Sequence, residues 1–176
     1  MEKILIVVDM QKDFVDGALG TKEAQGIVDN VVAKIEGSQG RIFATLDTHQ
    51  ADYLETAEGR KLPVPHCIKD SEGWLLNEKV LHALSGKNYR TIEKGTFGST
   101  KLVEEIGRAS AEGEIELELV GLCTDICVVS NALLLKAYFP EMKICVDASC
   151  CAGVTPKTHE AALETMRMCQ IDILGE

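Results

Sequence analysis

Apolar residues fall in short blocks along this chain, and the blocks alternate between two spacings. Lys3–Val8 (KILIVV) and Arg41–Leu46 (RIFATL) are near-continuous apolar runs, which predict buried strands. Between them Ala24, Ile27, Val28, Val31, Val32 and Ile35 recur at helical spacing and predict a helix over Lys22–Ile35. A long irregular stretch is expected over Asp47–Gly73. Beyond it, Tyr89–Ile92, Ile115–Val120, Lys143–Asp147 and Ile171–Leu174 predict strands. Trp74–Leu84, Ser99–Ile106, Asp125–Phe139 and Pro156–Cys169 predict helices, with Ser99 placed as a cap and Pro156 in a first turn. Asp125–Phe139 is apolar nearly all round and stops at Pro140, the pattern of a buried helix. The alternating glutamates of Ile115–Val120 predict one solvent-facing side.

Strands that alternate with helices predict an α/β fold whose parallel sheet is covered on both faces. Ligands of such sheets bind beyond the carboxyl ends of the strands. Asp9, Asp47, Lys94 and the Gly121–Cys127 segment each follow or end a predicted strand. Polar groups from distant parts of the chain are therefore expected on one rim.

The 176 residues contain no repeat or linker, so one domain over residues 1–176 is expected. A chain of this size buries roughly 70% of its unfolded surface and needs no cross-links to fold. Acidic residues outnumber basic ones 28 to 18, for a net charge of −10, and no Lys/Arg cluster occurs. A nucleic-acid partner is not expected of such a surface. No apolar run is long enough to span a bilayer, and no export signal is seen, so cytoplasmic residence is the expectation. The seven cysteines include no Cys-x-x-Cys pair, which makes a redox dithiol or a zinc ribbon a poor fit.

Candidate chemistry gathers at the strand ends. In Gly121-Leu-Cys-Thr-Asp-Ile-Cys127, Thr124 is expected to cap the following helix and to leave Cys127 in its first turn. Cys127 is there either a buried structural thiol or a nucleophile whose thiolate the helix end favours. Asp9 is either a turn residue or a carboxylate able to take a thiol proton. Lys94 is either solvated or a stabiliser of developing negative charge. Asp47-Thr-His49 places an oxygen and a nitrogen donor on one strand face, and His66, with Glu55 or Glu58, can complete a metal site. His82 and His159 lie in helical patterns and read as structural.

Taken together, Val8-Asp9-Met-Gln-Lys-Asp13-Phe14, Asp47-Thr-His49, Pro65-His66-Cys, Lys94-Gly, Gly121–Val128 and Asp147–Gly153 resemble the isochorismatase-like cysteine hydrolase superfamily, and within it the nicotinamidase/pyrazinamidase branch. The ordered set spans nearly the whole chain. The resemblance implies a single-domain, three-layer α/β/α fold on a six-stranded, mainly parallel sheet. It implies Asp9 as base, Lys94 as charge partner and Cys127 as nucleophile. It further implies a cis Leu122–Cys123 peptide, with the backbone N–H groups of Cys123 and Cys127 as oxyanion hole. One divalent metal, zinc, iron or manganese, is implied on Asp47, His49, His66 and a glutamate, with Glu58 preferred over Glu55. Phe14 is implied as a ring-stacking residue, the substrate as a small amide, and homo-oligomers as common. The implied reaction takes nicotinamide and water to nicotinate and ammonia through a thioester. Family members often carry an aromatic residue in the stretch that here reads Leu62-Pro63-Val64-Pro65, and Tyr53 or Phe97 are the residues able to replace it. An amidase for another small amide or a carbamoyl or ureido compound, and a metal- or ligand-binding domain without turnover, are the alternatives.

Overall fold

A computed structural model describes residues 1–176. Six strands, β1 (Glu2–Val8), β2 (Ile42–Asp47), β3 (Tyr89–Lys94), β4 (Ile115–Leu122), β5 (Ile144–Ala152) and β6 (Asp172–Leu174), form one parallel sheet in the order β3-β2-β1-β4-β5-β6. The order reverses between β1 and β4, and such a switch point opens a crevice at the carboxyl ends of the two strands.

Helices cover both faces. α1 (Lys12–Val15), α2 (Lys22–Gly26), α3 (Val28–Gly37), α4 (Ala57–Lys61) and α5 (Glu78–Leu84) belong to the first half of the chain, and α6 (Thr100–Glu112), α7 (Val129–Tyr138) and α8 (Pro156–Met168) to the second. The alternation of β1 shows why its run is apolar throughout. Ile4, Ile6 and Val8 join a core built with α6, α7 and α8, whereas Leu5 and Val7 join a second core with α3 and α5. A strand buried on both faces has no solvent side to mark with polar residues.

Four local expectations are corrected. The helix expected over Lys22–Ile35 is two helices, because Ile27 leaves the regular helical path (φ −91°, ψ −10°) after Gly26. The helix expected from Trp74 begins at Glu78, where the Asn77 side chain accepts from the Lys79 N–H. Residues Thr124–Val128 form a π-helical turn ahead of α7. Finally, the side of β4 carrying Glu118 is buried: its carboxylate meets Lys3 at 2.7 Å and Lys34 at 2.8 Å, and Lys34 also meets Asp147 at 2.6 Å. A glutamate repeat marks an open face only when no cation reaches across the strand to neutralise it.

Candidate active site

The rim at the switch point collects side chains from four strands. Asp9 directly follows β1 in a left-handed turn (φ +46°) and is fully buried. Its Oδ1 accepts a 2.6 Å hydrogen bond from the Thr45 hydroxyl. Lys94, the last residue of β3, is buried rather than solvated, and its ammonium lies 2.7 Å from Asp9 Oδ2. The same ammonium donates to Thr96 O at 3.1 Å and to Cys127 Sγ at 3.4 Å. No donor is aligned for a hydrogen bond onto Oδ2, so this oxygen, held as an ion contact, keeps capacity to accept a proton.

Burial pushes the Asp9 carboxyl above the usual carboxylate range, against the Lys94 charge and with that of Asp47. Lys94 is raised because Asp9, Cys127 and Asp47 more than offset the effect of its burial. The Cys127 thiol is pushed well up by burial and by Asp9. The expected thiolate at a helix end is thus corrected: desolvation beside a carboxylate outweighs the partial charge of the turn. Passing the thiol proton to Asp9 would move one negative charge from oxygen to sulfur and leave the total charge of the three groups unchanged.

The Gly121–Val128 segment is shaped by its backbone. Gly121 has φ +117°, and a side chain there would collide with the Val8 carbonyl, so β4 comes against β1 as only glycine permits. The Leu122–Cys123 peptide is cis. Ile126 and Val128 N–H both donate to Cys123 O, which curls the turn around Cys127. Thr124 does not cap the helix; its hydroxyl hydrogen-bonds His159 Nδ1 at 2.7 Å. His159 therefore ties α8 to this turn, whereas His82 is exposed.

Beside Asp9, Lys94 and Cys127, the residues Asp47, His49, Glu58 and His66 bring one donor atom each to within 4.8 Å of one another. Asp47 Oδ2 lies 3.0 Å from His49 Nε2 and 3.6 Å from His66 Nε2, and Glu58 Oε1 lies 3.6 and 3.7 Å from the same nitrogens. Donors about 2.0–2.2 Å from a shared ion are spaced in this way, and two nitrogens with two carboxylate oxygens suit zinc, iron or manganese. His66 Nδ1 bonds Val64 O at 2.8 Å, which fixes its tautomer and leaves Nε2 free to ligate. The cluster can hold one divalent metal ion. Burial opposes the charge of Asp47, but hydrogen bonds from His49 and His66 and the Lys94 charge prevail and hold its carboxyl well below the usual range. Glu55 is exposed and lies outside the cluster.

Three residues that frame the site carried no role in the sequence. Thr45 orients Asp9. Gln11, fully buried, donates to Asp47 O and accepts from Asp47 N, both at 2.8 Å, and so holds the backbone of a ligand candidate from both sides. Asn131, one turn beyond Cys127, donates to Cys127 O at 2.8 Å and to Phe97 O at 3.1 Å and accepts from Ser99 N at 2.9 Å. An amide among apolar or motif residues was the available signal for Gln11 and Asn131. Asp13, two positions beyond Gln11, accepts from the N–H of Cys67 next to His66.

A cavity of about 440 Å³ opens over these groups, with Asp47, His66 and Cys127 in its wall and Phe14, Leu62, Phe97 and Ile126 as apolar lining. Phe14 stands edge-on to His66 at 5.5 Å. Of the two aromatic residues expected to help line it, Phe97 does. Tyr53 instead packs behind the histidines, 4.6 Å from His49 and 5.0 Å from His66. A larger groove of about 1100 Å³ lies on the α3 face, away from Asp9, Lys94 and Cys127, and its Lys3, Lys34, Glu118 and Asp147 are paired with each other.

The family model for the isochorismatase domain matches residues 3–175. The nicotinamidase/pyrazinamidase of Mycobacterium tuberculosis is 26% identical, over 98% of both chains. A crystal structure of nicotinamidase/pyrazinamidase from Bacillus subtilis superposes with a TM-score of 0.84 at 28% identity, covering 99% of this chain and 100% of the other. The pyrazinamidase of Pyrococcus horikoshii, crystallised in complex with zinc, superposes with a TM-score of 0.80 at 25% identity over the full length of both chains.

Proposed function

Since the chain belongs to the isochorismatase domain family, we propose that it is a cysteine-dependent amidohydrolase of the nicotinamidase type. It takes a pyridine or pyrazine carboxamide and water to the acid and ammonia. The observation that carries the reading is the buried Asp9–Lys94–Cys127 set beside a four-residue metal cluster.

Asp9 Oδ2 takes the Cys127 thiol proton, and the sulfur attacks the amide carbonyl carbon. The backbone N–H groups of Cys123 and Cys127 receive the oxyanion, and donors of this kind are worth about 3–4 kcal/mol each elsewhere. Lys94 keeps one positive charge beside the set while negative charge shifts from Asp9 to sulfur. Protonated Asp9 then gives its proton to the departing ammonia. Water, deprotonated by Asp9, cleaves the thioester and frees the thiol. Phe14 offers its ring to the substrate from the cavity wall. Asp47, His49, Glu58 and His66 would hold the metal, which when bound supplies a Lewis-acid position that orients the substrate's ring nitrogen.

No helix is long and apolar enough to cross a membrane. The seven free thiols suit a reducing compartment such as the cytoplasm. The test of function is ammonia release from nicotinamide by metal-replete protein, with Cys127→Ala alongside. Release by the unaltered protein alone is expected. Full activity in the variant removes the thioester route.

A further inference from the structure

His159 stands apart from the metal cluster and bonds the turn that carries Cys127. Its Nδ1 meets the Thr124 hydroxyl at 2.7 Å, and Thr124 is fully buried. The ring comes from the first turn of α8, which is firmly set. There Thr155 and Thr158 cap each other's backbone N–H groups, and Pro156 takes the first helical position. Gly153 brings the chain against the base of His159: a Cβ there would lie 2.9 Å from His159 Cβ, closer than a side chain allows. The neighbouring Val154 N–H donates to both oxygens of Asp125, at 3.2 and 3.1 Å. The β5–α8 connection and the start of α8 thus grip two consecutive residues, Thr124 and Asp125.

The gripped turn is wider than an α-helical one. In an α-helix the Cys123 carbonyl would accept from the N–H of Cys127, four residues on. Here it accepts instead from Ile126 N–H at 3.1 Å and Val128 N–H at 3.0 Å, the residues on either side. A carbonyl oxygen has two lone pairs, and both are used. The Cys127 N–H is therefore not spent on closing the turn, as an oxyanion donor requires. Single π turns are rare and gather at functional sites. This one is held by side chains from outside: Thr124 by His159, and Cys127 O by the Asn131 amide at 2.8 Å. Thr124 directly follows Cys123, so the His159 bond acts next to the first of the two oxyanion donors.

We propose that His159 is a positioning residue for amide hydrolysis: through the Thr124 hydroxyl it fixes the turn so that the Cys123 and Cys127 N–H groups both aim at the tetrahedral oxygen. The inference rests on the amidohydrolase reading of Cys127 and extends its machinery to α8. His159 lies outside the cavity wall, so it acts by geometry rather than by contact with the substrate. Losing it leaves the substrate's ground-state contacts in place and misaims the donors as charge develops on oxygen.

The experiment measures kcat and KM for nicotinamide with metal-replete protein, and the inhibition constant of pyridine-3-carbaldehyde. In the aldehyde complex the Cys127 sulfur bonds the carbonyl carbon, the π pair moves to oxygen and the thiol proton passes to Asp9. The oxygen then occupies the donor pair without turnover. His159→Leu and Thr124→Val each remove the bond. Their kcat is expected to fall about 10–100-fold with KM nearly unchanged, as misaimed donors require. The aldehyde inhibition constant is expected to rise by a similar factor. Asparagine keeps a polar δ atom at the place of Nδ1, so His159→Asn is expected to regain most of the loss. The double variant His159→Leu/Thr124→Val is expected to be no slower than the slower single one, because the same bond is lost once. Unchanged kcat in both single variants, a loss carried by KM, or no recovery in His159→Asn overturns the inference and leaves the amidohydrolase reading intact. If His159→Leu does not fold, Thr124→Val against Thr124→Ser makes the same comparison, and an equal kcat in these two overturns it. No ammonia from the unaltered protein removes the amidohydrolase reading, and this inference with it.

Discussion

Replacing Lys94 with methionine removes the charge opposite a carboxylate that has no access to water. Asp9 is fully buried, and the Lys94 ammonium at 2.7 Å is the cation in contact with it. Methionine keeps most of the volume, so the effect is electrostatic rather than a cavity. Left alone, the carboxylate binds a proton on folding instead of bearing a buried charge. Holding a carboxyl of ordinary pKa ~3.9 protonated at pH 7 costs about 4 kcal/mol, and at pH 5 about 1.5 kcal/mol. The folded pKa is raised above the unfolded one, so the folded state binds the extra proton. Its contribution is fully present below the unfolded pKa and is lost as pH rises toward the folded value. Burial already raises this carboxyl with Lys94 present, and losing the Lys94 charge raises it further, so the variant is expected to lose more stability, relative to the unaltered protein, at pH 7 than at pH 5. Urea unfolding of chelator-treated protein at the two pH values measures this difference. Adding Asp9→Asn should remove it. An equal loss at both pH values, or a loss under about 1 kcal/mol at pH 7, refutes the account of a buried pair.

Three further outcomes follow from contacts already described. Gln11→Leu leaves the Asp47 N–H and C=O without their side-chain partner and should weaken metal binding about 10–100-fold; competition with a chelating dye measures it, and unchanged affinity refutes the positioning role. Burial opposes the charge of Asp147, but Lys34 and Ser149 prevail and depress its pKa. The unaltered protein should therefore exceed Asp147→Asn by roughly 1.5 kcal/mol above pH ~4, and the difference should vanish as pH falls through the depressed folded value in acid titrations of stability. Leu119→Ala removes a fully buried side chain from central β4 and should cost about 2–5 kcal/mol in denaturant unfolding; a cost below 1 kcal/mol means the core collapses around the gap.

The sheet was legible because each central strand is an apolar run too short for a helix and is followed at once by a polar residue. That same feature made the meeting of Asp9, Asp47 and Lys94 legible, since parallel strands end together on one rim. What escaped depends on contacts across the sheet. Glu118 is polar in sequence and neutralised in space by Lys3 and Lys34. The Cys127 thiol sits at a helix start, which argues for a thiolate, but its burial beside Asp9 argues more strongly against one. Tyr53 was as good a candidate as Phe97 for the cavity wall, and only the fold turns it to the back of the histidines. Gln11 and Asn131 act through backbone atoms of other segments, and no local spacing encodes that.

The pairing of β1 between β2 and β4 has a consequence for how the chain is born. Strand β1 leaves the ribosome well before β4, yet one of its two edges is completed only when Glu2 finds Ile115 and Val8 finds Gly121. At ~5–20 residues per second, that interval lasts on the order of ten seconds. Throughout it, the Ile4–Val8 edge is an apolar strand with unpaired N–H and C=O groups, the kind of edge that recruits other chains. Cys127 follows β4 by five residues, so the thiol is still unsynthesised or confined to the exit tunnel for the same period. A nascent chain of this protein is thus exposed to mispairing before it holds Cys127, and synthesis slowed between β2 and β4 should raise its demand for chaperones.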